Sequence, residues 1–73
     1  MYIRKISIGN SYKDGMHYVL DQEVLGGNYN IHLIDYDAES NSYKLYVSRE
    51  DEIFLWKEFN HSLPISIEYN INL

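Results

Sequence analysis

Apolar and polar residues alternate along much of this chain. Over residues 65–73, Ile65, Ile67, Tyr69, Ile71 and Leu73 alternate with Ser66, Glu68, Asn70 and Asn72. Successive strand side chains point to opposite faces, so this pattern predicts a half-buried strand with one polar face. Residues 29–36 predict a second strand, with Tyr29, Ile31 and Leu33 on one face. Residues 43–48 predict its return, with Tyr43, Leu45 and Val47 together. Residues 2–8 are rich in β-formers and predict the first strand, with Arg4, Ile6 and Ile8 sharing a face. Residues 53–59 predict a strand that is apolar on both faces at its start. Residues 16–25 fit helix or strand, and strand is preferred.

The punctuation agrees with short antiparallel strands. Gly9-Asn10-Ser11, Asp14-Gly15 and Gly26-Gly27-Asn28 are turn material. Residues 37–42 read as a polar hairpin loop, residues 49–52 as a charged turn and residues 60–64 as a loop. Five or six short strands at regular spacing predict an all-β fold, a small antiparallel meander curled into a barrel or sandwich. With no repeat and no linker-like segment, residues 1–73 form one domain.

Composition narrows the function classes. A chain of 73 residues buries a thin core, and small scaffolds often lean on disulfides, metals or partner subunits. The chain has no cysteine, which closes the disulfide route and thiolate zinc sites. Ile53, Phe54, Leu55 and Trp56 offer apolar side chains to both faces of one strand. A homo-oligomer that covers the spare face is therefore expected. The net charge of −5 argues against duplex nucleic acid and anionic membranes as partners. No apolar run approaches a membrane span and no signal peptide stands out, so the expected location is the cytoplasm.

The constellations of common enzymes are missing. His17, His32 and His61 fall on three elements without metal-ligand spacing. No nucleophile elbow and no phosphate-cradling glycine loop is present, and Gly26-Gly27 lacks the Lys and Ser/Thr that would follow. Asp35 and Asp37 would share a strand face, and Glu50-Asp51-Glu52 forms an acidic run, but both read as solvated turns. A non-enzyme with no cofactor is expected.

Aromatic residues beside single bases carry the more interesting chemistry. Tyr12-Lys13 precedes His17 and Tyr18, and Trp56, Lys57, Glu58 and Asn60 fall within five residues. An aromatic face stacks a nucleobase, lysine neutralises a phosphate, and glutamate and asparagine pair with base edges. Two readings stay open at Trp56, a core side chain or a stacking platform. On a regular strand Trp56 and Glu58 would share one face, and Lys57 and Phe59 the other.

Trp56-Lys57-Glu58-Phe59-Asn60, followed by Leu63-Pro64-Ile65-Ser66-Ile67-Glu68-Tyr69-Asn70-Ile71, resembles the C-terminal half of small tailed-phage proteins. Tyr12-Lys13-Asp14, Met16-His17-Tyr18 and Glu23-Val24-Leu25-Gly26-Gly27 resemble their N-terminal half, so the likeness covers most of the chain. Among such proteins are the anti-CBASS sponges, compact oligomers that bind cyclic nucleotide signals of a bacterial defence without cleaving them. The resemblance implies immune evasion in the host cytoplasm by sequestering a cyclic dinucleotide such as 3'3'-cyclic GMP-AMP. By that likeness the ligand contacts would be Tyr12, Lys13, His17, Trp56, Lys57 and Asn60, with Glu58 reading guanine, in a site between subunits. The competing expectation is a small acidic inhibitor or accessory factor that meets a host protein through Asp35, Asp37, Glu39 and Glu50 to Glu52.

Overall fold

A computed structural model describes residues 1–9 and 15–70. Its elements are β1 (Ile3–Ile8), β2 (Met16–Val19), β3 (Glu23–Val24), β4 (Tyr29–Asp37), β5 (Ser42–Arg49), β6 (Glu52–Asn60) and β7 (Ile65–Tyr69). Two antiparallel sheets result, ordered β2-β1-β7 and β3-β4-β5-β6. The predicted all-β class holds. Strands β3 to β6 form a meander, whereas β7 returns to pair with β1 instead of β6.

The predicted strand over 16–25 is broken in the middle. The Leu20 amide donates to the Arg4 carbonyl, still in the first sheet, at 3.0 Å. The next amide, Asp21, donates to Ile31 of the second sheet at 2.9 Å, and Ile31 donates back to the Gln22 carbonyl at 3.0 Å. Asp21 makes this corner with a left-handed backbone, φ 69°. One chain segment thus joins the sheets and curls them into an open half-barrel. The turn over residues 25–28 needs positive φ at successive positions, and Gly26 and Gly27 supply it at 70° and 85°.

The core fills the space between the sheets. Ile3, Ile6 and Ile8 from β1 meet Val24, Ile31, Ile34, Leu45 and Val47 from the second sheet. The predicted face of Tyr43, Leu45 and Val47 does point inward. Two other predicted faces are corrected by register shifts. Arg4 sits where the β1–β7 ladder slips, so Ile3 replaces it in the core and Arg4 pairs with Glu68 at the surface. In β4 the ladder slips between Ile31 and Leu33, so Ile34 is buried and Leu33 is exposed. An extra residue in a ladder flips everything beyond it to the other face. In β7 Ile65 and Ile67 are half-buried and Tyr69 is exposed, while Ile71 and Leu73 lie outside the described residues. Among the described residues no helix is long and apolar enough to cross a membrane.

Candidate functional site

A third register shift builds the site. Leu45 pairs with Lys57 and Tyr46 with Leu55, which leaves Trp56 as the extra residue of a bulge in β6. The bulge turns Trp56 toward the same neighbour that Phe59 reaches. That neighbour is Tyr18 of β2, which stands opposite the buried Ile6. The Tyr18 and Trp56 rings meet edge to face, centroids 5.7 Å apart and planes at 89°. Tyr18 and Phe59 stack at 5.9 Å and 28°. The three rings are half-buried and pack against the core.

A cation completes the arrangement. The Lys57 Nζ lies 4.8 Å from the Trp56 ring centroid, a cation–π distance. The Tyr18 hydroxyl donates to Met16 Sδ at 3.4 Å. Burial pushes the Tyr18 phenol above its ordinary pKa, so it stays protonated and can donate. Aromatic rings with an ammonium over one of them combine a stacking surface for a nucleobase with a positive charge for its phosphate.

The other predicted contacts go elsewhere. Because Tyr18 faces the core, strand alternation sends His17 to the opposite face of β2. There its Nδ1 hydrogen-bonds Ser7 Oγ at 2.9 Å, beside a shallow depression of about 240 Å³ lined by Lys5, Ser7, Ser66, Ile67 and Glu68. Glu58 stands opposite Lys44 on the outer face, 3.6 Å from its Nζ. The expected shared face of Trp56 and Glu58 is therefore undone by the bulge, and Lys57 joins Trp56 in its place. Asn60 shapes the turn after β6, its Oδ1 accepting from the Ser62 amide at 2.9 Å. Tyr12 and Lys13 lie outside the described residues. Tyr18 and Phe59 were not among the predicted contacts. The available signal was alternation, since His17 and Tyr18 cannot face the same side of one strand.

The acidic residues form a surface network. Lys44 lies opposite Asp35 and donates to Asp37 Oδ2 at 2.8 Å. That hydrogen bond, then the Glu39 amide, holds the Asp37 carboxyl below the usual range, and the Asp37 hydrogen bond raises Lys44. Among the described residues, no group of three or more His, Asp or Glu gathers as a metal site. Compared with family models, curated proteins and solved structures, the chain matches none of them.

Proposed function

We propose that this chain is a phage immune-evasion protein that binds a cyclic dinucleotide signal, such as 3'3'-cyclic GMP-AMP, and sequesters it in the host cytoplasm without cleaving it. The supporting observation is the Lys57 ammonium 4.8 Å from the half-buried Trp56 ring, beside Tyr18 and Phe59. A purine stacked on an aromatic face gains about 1–3 kcal/mol, and the lysine answers a phosphate. A sponge must outcompete the effector, and a nanomolar Kd corresponds to about −12 kcal/mol. Two stacked bases would supply about 2–6 kcal/mol of that, leaving the remainder to phosphate and base-edge contacts.

Trp56 is the sole tryptophan, so its fluorescence reports on this site alone. Titration with 3'3'-cyclic GMP-AMP should change that emission with a submicromolar midpoint, and heating the complex should release intact cyclic ligand. Linear product would make the protein an enzyme, and no binding at 100-fold excess would discard the reading. A second reading rests on the exposed Glu50, Asp51 and Glu52 at the β5–β6 turn, an acidic tip suited to a basic protein partner. Salt-sensitive binding to a host protein, lost on charge reversal at these residues, would favour it.

A further inference from the structure

Strand β6 contains the richest apolar run in the chain, yet none of its nine residues is buried. Ile53, Phe54 and Leu55 are 55%, 39% and 46% exposed. Strand β6 is also the last in its sheet, so its far edge pairs with no described strand. Exposed consecutive apolar residues on both faces of an unpaired edge make a template for another strand.

The pairing of β6 with β5 assigns its faces. Ile53 and Leu55 stand opposite Ser48 and Tyr46, while Glu52, Phe54 and Lys57 stand opposite Arg49, Val47 and Leu45. Cross-strand partners share a face, and Leu45 and Val47 are buried. Glu52, Phe54 and Lys57 therefore lie on the core side, and Ile53 and Leu55 on the outer side. The Tyr29 ring touches Phe54 edge to face at 5.1 Å on that core side. Without the bulge at Trp56, Glu52 and Lys57 would fall on opposite faces.

These faces are self-complementary about one residue. We infer that two copies of this chain join antiparallel along β6, about a two-fold axis through Phe54, making one eight-stranded sheet. In that register Phe54 faces its own counterpart. Ile53 of each copy lies opposite Leu55 of the other on the outer side. Glu52 of each copy lies opposite Lys57 of the other on the core side, with Trp56 of each as the extra residue. Apolar meets apolar and acid meets base twice, as an isologous contact requires. The outer row Leu33–Tyr46–Leu55 then runs on into the second copy's Ile53. The union needs no ligand; it engages Lys57, the cation of the nucleotide reading, so it is tested on the unliganded protein and stands or falls without that reading.

The test combines mass and cross-linking. Sedimentation of the unliganded protein should give twice the 8.7 kDa chain mass. Glu52→Lys, which opposes two lysines twice, should weaken the dimer about tenfold at low salt, and adding Lys57→Glu should restore it to within about threefold. The chain has no cysteine, so Phe54→Cys should form an intermolecular disulfide under mild oxidation, because directly opposite residues have Cα atoms about 4.5–5.5 Å apart. Should Phe54→Cys disturb folding, an equimolar mixture of Ile53→Cys and Leu55→Cys should give the mixed dimer in its place. A monomer at millimolar concentration overturns the proposal, as does a dimer that neither cysteine arrangement traps.

Discussion

Lys57 holds its ammonium over the ring of its own chain neighbour, Trp56, at 4.8 Å. Adjacent residues of a regular strand point to opposite faces, so this contact exists because Trp56 occupies a bulge. The same bulge turns the indole onto Tyr18. One extra residue in the β5–β6 ladder thus gathers two aromatic rings and a cation.

The roles of these two side chains should separate. Lys57→Ala is expected to change folding stability by less than about 1 kcal/mol, since an exposed or half-exposed cation–π contact contributes about that much. It should weaken cyclic dinucleotide binding at least tenfold. Trp56→Ala should cost about 2 kcal/mol or more of stability through lost packing and abolish binding, whereas Trp56→Phe should keep the fold and part of the affinity. Urea denaturation beside isothermal titration calorimetry tests both, and equal affinity of Lys57→Ala and the parent would remove the lysine from the site.

The slip in β4 decides which of two adjacent residues enters the core. Ile34 is 2% exposed and Leu33 is 42% exposed. Ile34→Ala is expected to cost about 2–4 kcal/mol, enough to unfold much of so small a domain, while Leu33→Ala should cost under about 1 kcal/mol. Denaturant midpoints in the same buffer decide it. A larger loss at Leu33 would mean that the strand follows its uninterrupted alternation.

Asp37 and Lys44 predict a window of pH. The Asp37 carboxyl is held below its ordinary value of 3.8, so its contribution is complete above that value and lost as pH falls through the lower folded value. Lys44 is raised above 10.5, so its contribution is complete below 10.5 and lost as pH rises through the higher folded value. Asp37→Asn should therefore destabilise the protein at pH 7, and the difference should shrink as pH falls below 3.8. Thermal melts of both proteins across pH would show the two curves converging in acid.

Two phenols should ionise late. Burial raises Tyr18, and burial followed by the neighbouring Tyr69 and Tyr36 hydroxyls raises Tyr43. In alkaline solution the unfolded chain releases these protons first, so stability should decline as pH climbs past 10. Spectrophotometric titration of the eight tyrosines should show a fraction ionising above the rest, and Tyr18→Phe should shrink that fraction. An unchanged late fraction would place Tyr18 in solvent.

Part of the site was legible and part was not. Trp56 and Lys57 stand out in the sequence as an indole beside a base, and the fold keeps them together. Glu58 and His17 stand equally close to aromatic residues in sequence, yet they project to outer faces, where Lys44 and Ser7 engage them. Phe59 and Tyr18 belong to distant strands, and their stacking depends on β2 curling over β6.

Strand chemistry was set locally. Alternation, β-branched content and turn residues specify an all-β chain, its hairpins and the inward face of Tyr43, Leu45 and Val47, because each depends only on residues near in sequence. The placement of Arg4, Leu33 and Trp56 was decided by pairing. A bulge forms where a partner strand and the curl of the half-barrel need an extra residue, and that partner is remote in sequence. From each bulge onward the faces exchange, so tertiary structure alone determined which apolar side chains entered the core and which were left along the open edge of β6.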